Sequence, residues 1–165
     1  MMDIKKLKEF LVKAKKSTYA NNKNKPQKRS DGARVFSFVS AEFEGFKYED
    51  IYFGSSKFVG QEVVWHNGIV IWSMVYYGGI VKDVLTQDTL FNRYLKKFLS
   101  KPDEIPARGE DQQIEKNGND KVIYTNHIQR KDPTHFNGRE FISYNGNEIY
   151  ELFYAGGIVI IENIN

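Results

Sequence analysis

The sequence predicts an α+β domain built by duplication: a helix followed by an antiparallel β-meander, twice, as two pseudo-symmetric halves sharing one curved sheet with both helices on one face. Three observations predict it. Residues 58–81 lie over 136–159 at an offset of 78 without a gap, and eleven of the 24 positions are identical; unrelated segments share about one or two, with common residues near 7% each. Asn67-Gly68 and Asn145-Gly146 each separate two strand-like runs, and Asn-Gly accepts the positive φ of a type I′ hairpin turn. Finally, KKLKEFL at 5–11 and RYLKKFL at 93–99 are similar stretches of helical pattern, one ahead of each meander. The chain is read as a single domain, 1–165, with repeat halves at about 1–82 and 83–165.

The first element is a helix from about Asp3 to Tyr19. Ile4, Leu7, Phe10, Leu11 and Ala14 form an apolar stripe, Asp3 is a suitable N-cap, and lysines occupy the opposite side. Residues 21–34 (NNKNKPQKRSDGAR) are polar and turn-rich and are expected to be a mobile loop. Strands are expected at Val35–Phe43, Phe46–Phe53, Gln61–His66 and Ile69–Tyr77. A second helix spans about Thr86 to Leu99, burying Leu90, Phe91, Tyr94, Leu95 and Phe98. Residues 101–120, with Pro102 and Pro106, form the second expected mobile loop. Strands return at Lys121–Ile128, Arg139–Tyr144, Asn147–Tyr154 and Ile158–Glu162. The repeated glycines are read as structural: Gly60 and Gly138 as bulge positions, Gly68 and Gly146 as turns, and the pairs Gly78-Gly79 and Gly156-Gly157 as bulges or tight turns.

Composition narrows the function classes. With no cysteine among 165 residues, disulfides, thiol nucleophiles and iron–sulfur ligation are excluded, and a cytoplasmic location fits. No apolar run approaches the ~20 residues of a membrane-spanning helix, and the first residues lack a signal-peptide core. His66, His127 and His135 have no metal-ligand spacing, and the Gly-Gly pairs lack the following Lys-Ser/Thr of a phosphate loop. No metal or cofactor is expected. The net charge of +3 hides an uneven distribution: residues 1–34 hold 11 Lys/Arg against 3 Asp/Glu. Such a basic segment suits nucleic acid or another acidic partner, although a solvated helix face has the same composition.

Counting back from two-residue turns pairs His66 with Ile69 and Val63 with Trp72. That register sets Glu62 opposite Ser73 and Glu140 opposite Glu151, and leaves both sheet faces largely apolar and in need of cover. Facing carboxylates would share a proton or attract a cation. The candidate ligand-binding residues are therefore Glu62, Trp65, His66, Trp72, Tyr76, Glu140, Tyr144, Tyr150, Glu151 and Tyr154, with no catalytic set assigned. The competing structural reading makes the repeated glutamates fold determinants and the aromatic stripe core.

The Phe58–Gly78 hairpin (F-x-G-x-E, then W-x-M-x-Y-Y-G), the Thr18–Ala20 triplet, Arg108-Gly109, and Phe136–Gly157 together resemble an uncharacterised bacterial domain family, over nearly the whole chain. Some members of that family are similar to the C-terminal part of helix-turn-helix regulators. The chain departs from the pattern at Glu110, where proline is expected, and has no room for the DNA-binding module. That family has no assigned activity; by analogy alone, a duplicated β module beside a DNA-binding domain is similar to effector-binding domains with a glutamate in an aromatic cleft. The leading expectation is a non-enzymatic domain that binds a small molecule or protein partner in an aromatic/glutamate cleft between the halves, with a homodimer as one form of partner. The alternatives are an enzyme with a Glu140/Glu151 acid–base pair, and an accessory protein that binds nucleic acid or an acidic partner through residues 1–34.

Overall fold

A computed structural model describes residues 3–20, 24–100, 108–132 and 134–159. Helix α1 (Ile4–Ser17) begins where the Asp3 carboxylate accepts from the amides of Lys5 and Lys6, at 3.0 and 3.1 Å. It ends where the Thr18 hydroxyl donates to the Ala14 carbonyl. Strands β1 (Gln27–Lys28) and β2 (Arg34–Val39) follow, then a single 3₁₀ turn at Ala41–Phe43. Next come β3 (Phe46–Gly54), β4 (Lys57–His66) and β5 (Ile69–Ile80). A π-helical stretch, Thr89–Leu95, runs into the short α2 (Lys96–Leu99). The chain closes with β6 (Gln112–Asn117), β7 (Asp120–Arg130), β8 (His135–Tyr144) and β9 (Asn147–Ile158).

All nine strands form one antiparallel open sheet in the order β1-β2-β3-β4-β5-β9-β8-β7-β6. The two meanders join through β5 and β9, and the register there sets Tyr76 opposite Tyr154, two positions that the 78-residue offset relates. Both helical segments pack on the same face. Phe10 of α1 meets Phe46 of β3, Phe91 of the π stretch meets Tyr150 of β9, and Phe98 of α2 meets Tyr124 of β7. The core lies between these helices and the sheet. On the outer face Val59, Tyr77 and Phe153 are exposed cross-strand neighbours, with Val75 beside them, and among the described residues nothing covers them. No helix among these residues is long and apolar enough to cross a membrane.

Both Asn-Gly turns form as read, with Asn67 and Asn145 at φ 51 and 48 and glycine following at positive φ. Four expectations change. The Val35–Phe43 strand stops at Val39, because the chain must turn before β3. The loop at 101–120 contains β6, a polar edge strand whose outward composition hid it; 101–107 lie outside the described residues. The loop at 21–34 contains β1, while 21–23 lie outside the described residues. Of the strand expected at 158–162, Ile158 is the last residue of β9, and 160–162 lie outside the described residues.

The largest correction concerns which residues share a face. The ladder shifts between Val64 and Trp65 and between Ile142 and Ser143, leaving Ile71 and Ile149 as extra residues on the returning strands. One inserted residue exchanges the faces of everything beyond it. Glu62 therefore opposes Met74 rather than Ser73, Val64 rather than Val63 opposes Trp72, and Glu140 opposes Leu152 rather than Glu151. The glutamates join the tyrosines and Trp72 on the helix-covered face. The Gly-Gly pairs are not turns; they lie inside β5 and β9.

Candidate functional site: an ionic cluster beneath an aromatic cleft

The register aligns two polar cross-strand pairs on the helix-covered face: Asp50 with Glu62 in β3–β4, and Asn126 with Glu140 in β7–β8. The neighbouring row runs Tyr52, Gly60, Tyr76, Tyr154, Gly138. Gly60 and Gly138 are needed there because a Cβ at either would sit well inside 3.0 Å of a tyrosine hydroxyl, Tyr76 and Tyr154 respectively. Each tyrosine thus lies across a glycine and reaches the strand beyond it. Tyr76 donates to Asp50 Oδ1 at 2.5 Å, and Tyr154 donates to Asn126 Oδ1 at 2.7 Å.

Two cations enter this face from outside the sheet. Lys15 continues the buried stripe of α1, four residues beyond Leu11, and its Nζ lies 2.8 Å from Glu62 Oε2. Arg108 lies in the segment before β6. Its Nε donates to Glu140 Oε2 at 2.9 Å, its Nη2 donates to Oε1, and its Nη1 is 3.9 Å from Glu62 Oε1. Tyr124 and Tyr150 also donate to Glu140, at 2.7 and 3.1 Å. Gly109 tethers this segment: its amide donates to the Tyr124 hydroxyl and its carbonyl accepts from Asn126 Nδ2. Lys15 and Glu140 are 0% exposed, Glu62 1%, Asp50 4% and Arg108 5%, so the whole cluster is withdrawn from water.

Burial sets the electrostatics. It pulls the Lys15 pKa below its ordinary value, with Glu62 opposing. Burial works most strongly against the Arg108 charge too, but the charge and hydrogen bond of Glu140, together with Tyr19 and Tyr124, outweigh it and raise the pKa above the ordinary value. Asp50 has no ion-pair partner among the described residues. Burial, then the charge of Glu62, pushes its carboxyl up to about 7. With Asp50 protonated, the carboxylates Glu62 and Glu140 balance Lys15 and Arg108 among the described residues.

This carboxyl makes folding pH-dependent. Asp50 is raised in the folded state above its ordinary 3.8, so between these values the folded chain holds a proton that the unfolded chain has lost. The stabilisation is complete below pH 4 and is lost as pH rises through 7. Asp50→Asn keeps the acceptor for Tyr76, as Asn126 does for Tyr154, and removes the ionisable group. Urea unfolding from pH 4.5 to 8 is expected to show the variant gaining on the parent as pH rises, by on the order of 3 kcal/mol. A constant difference across that range would show that Asp50 ionises normally.

Above the cluster is a cleft of about 200 Å³ between the sheet and the helical segments. Asp50, Glu62, Tyr76 and Arg108 form its polar floor; Phe58, Phe91, Leu95 and Tyr150 line its walls; Arg34, Gln87 and Lys96 contribute to its lining from outside the buried cluster. Glu62 Oε2 is held by Lys15 while its Oε1 is 3.9 Å from Arg108, beyond hydrogen-bond distance, and the Tyr19 hydroxyl is buried without a hydrogen-bond partner among the described residues.

The sequence candidates divide accordingly. Glu62, Tyr76 and Tyr150 line the cleft. Glu140 and Tyr154 lie beneath it, engaged by Arg108 and Asn126. Trp72 is core, 5.7 Å from Phe136 in a stacked arrangement. Trp65 lies under Lys47, His66 packs on Phe46 at the hairpin end, and Tyr144 bonds to Asp120. Glu151 is on the outer face, paired with Arg139, so no Glu140/Glu151 pair exists. The basic segment 1–34 gives up Lys15 to the interior. Sequence reasoning missed Lys15, Asp50, Arg108 and Tyr19 as site residues. Asp50 was visible as a break in the alternation Phe46-Tyr48-Asp50-Tyr52, and Lys15 as a lysine on an apolar stripe.

Fold and site together define an α+β domain in which a nine-stranded antiparallel sheet carries buried ion pairs under a helix-roofed cleft. Residues 50–159 match the family described as Domain of unknown function (DUF5680), and the chain belongs to that family. The match spans Asp50, Glu62, Arg108 and Glu140, while α1 lies before it. No curated protein and no solved structure matches the chain.

Proposed function

We propose that this domain is a non-enzymatic binding module for a small molecule, with the cleft over Asp50 and Glu62 as its site. One observation carries the reading: two buried carboxyl groups, one raised to about 7 and the other with its Oε1 3.9 Å from Arg108, beyond hydrogen-bond distance, are on the floor of a largely aromatic and aliphatic cavity. Apolar walls with a few convergent polar groups and a perturbed carboxyl are the usual features of a ligand site. Lys15 and Arg108, the buried cations at this floor, are already committed to carboxylates, which supports binding over catalysis. The similarity of some members of the resembled family to the C-terminal part of helix-turn-helix regulators agrees with this reading, and a cysteine-free chain suits the cytoplasm.

The test is a thermal-shift screen of the full chain against metabolites of neutral, acidic and basic character, repeated with Gln87→Trp. Gln87 is exposed and lines the cleft, so the larger ring is expected to block entry without disturbing the core. A ligand at 100-fold over its Kd adds about 2.7 kcal/mol. Hits that vanish in Gln87→Trp support the cleft; hits that persist place binding elsewhere.

A further inference from the structure

We propose that the cleft takes a small organic monoamine, whose ammonium group sits between Asp50 and Glu62 and expels the Asp50 proton as it binds. The proposal rests on the cleft being a ligand site and adds the ligand class and a coupling to protons.

The floor has acceptors to spare. Glu140 receives two donors from Arg108 and one each from Tyr124 and Tyr150. Glu62 Oε2 has Lys15 Nζ at 2.8 Å, but its Oε1 is 3.9 Å from Arg108 Nη1, beyond hydrogen-bond distance, and Tyr76 is the donor that reaches Asp50 among the described residues. Buried acceptors without donors are costly, and an ammonium brings three donors and one positive charge. Charge counts the same way. Once Asp50 ionises, the described cluster holds Asp50, Glu62 and Glu140 against Lys15 and Arg108, one cation short. A neutral ligand could supply donors but not the charge, and an anion would be repelled by both floor carboxylates.

The walls suit the rest of such a molecule. Phe58, Tyr76, Phe91 and Tyr150 offer ring faces to a cation, and Leu95 and Leu152 offer apolar surface to its stem. The cavity of about 200 Å³ is below the ~300–1,000 Å³ of sites for drug-sized ligands. Arg34 and Lys96 contribute like charge to the lining, so a second ammonium on the ligand would be repelled. The site therefore selects monoamines over polyamines.

The proton has a defined origin. The groups around Asp50 are Lys15 on α1, Tyr19 just after it, Glu62 on β4, Tyr76 on β5, Arg108 before β6, and Tyr48 and Tyr52 on its own strand. Of these, Asp50 is the one placed at about 7. The amine arrives already protonated, since aliphatic amines titrate near 10 like lysine. Asp50 passes its proton to solvent and keeps the negative charge that holds the ammonium.

Isothermal titration of the full chain at pH 6 and pH 8 tests this, with phenethylamine and tyramine as probes. The comparison compounds are 2-phenylethanol, 3-phenylpropionate and spermidine. The arylalkyl amines are expected to bind about tenfold more tightly at pH 8 than at pH 6, and to release protons at pH 6 when heats are compared between two buffers. The neutral alcohol, the acid and spermidine are expected to bind at least tenfold more weakly. Asp50→Asn should lose amine binding and its pH dependence while keeping its circular dichroism spectrum. Amine affinity that ignores pH, or that survives Asp50→Asn, would overturn the proposal. If the alcohol or acid binds best and is lost in Gln87→Trp, the monoamine assignment is wrong and the cleft remains a ligand site. Silence from the whole set overturns the monoamine assignment, and a flat wider screen as well would take the binding function with it.

Discussion

Arg108→Met is expected to lower the unfolding free energy by about 3–5 kcal/mol, the cost of removing one partner from a buried ion pair. Glu140 is fully buried, and Arg108 supplies two of its four hydrogen bonds and its countercharge. Without Arg108 the carboxylate must either stay charged in the interior or take up a proton, and each choice costs stability at neutral pH. Two tyrosine hydroxyls remain, but phenols carry no compensating charge. The same substitution frees Gly109 from its anchored neighbour, loosening the tether to Tyr124 and Asn126. The double variant Arg108→Met/Glu140→Gln tests the cause. Glutamine still accepts from Tyr124 and Tyr150 and needs no countercharge, so the double variant is expected to recover more than half the loss in urea unfolding at pH 7. If Arg108→Met alone costs under about 1 kcal/mol, as at an exposed pair, the interior charge of Glu140 is met in another way.

Gly156→Ala is the second large effect, expected at about 3 kcal/mol, the upper end for overpacking. Gly156 pairs with Met74 where β9 meets β5, the single ladder that joins the two meanders. A Cβ there would fall well inside 3.0 Å of the Ser73 carbonyl oxygen, the Met74 Cα and the Phe136 ring edge. Two of those three obstacles are backbone, which can yield only by separating the strands. The adjacent Ala155 is exposed on the outer face, so Ala155→Ser is the matched control and is expected to stay within about 0.5 kcal/mol. Thermal unfolding compares the two. Equal melting temperatures would mean that the β5–β9 ladder has slack that the close approach of its backbones does not suggest.

Both effects arise at positions that the sequence marks only in part. Gly156 belongs to the repeat, so its importance was legible, but it was read as part of a bulge or tight turn. Arg108 carried no periodic or spacing signal and entered only through resemblance to a family pattern. Glu62 and Glu140 were legible as repeated polar residues inside apolar strands. Their partners were not, because counting from the hairpin turns ignored the extra residues Ile71 and Ile149. Those isoleucines are identical in the two copies, yet nothing in an apolar run distinguishes a bulged residue from a paired one.

The sequence by itself determined what short-range chemistry determines. The Asp3 cap, the Asn-Gly turns, the strand periods and the repeated segment follow from residues within a few positions of each other, or from direct comparison of two segments. The tertiary structure decided which face each strand presents, because one bulge inverts the alternation beyond it. It also decided the site. Lys15 meets Glu62 and Arg108 meets Glu140 across long stretches of chain, 32 residues in the second case. Tyr76 reaches Asp50 only because Gly60 leaves the intervening strand bare. Such contacts depend on where folding carries each segment, and burial then converts ordinary charged side chains into a cluster whose pKa values and partners no local pattern specifies.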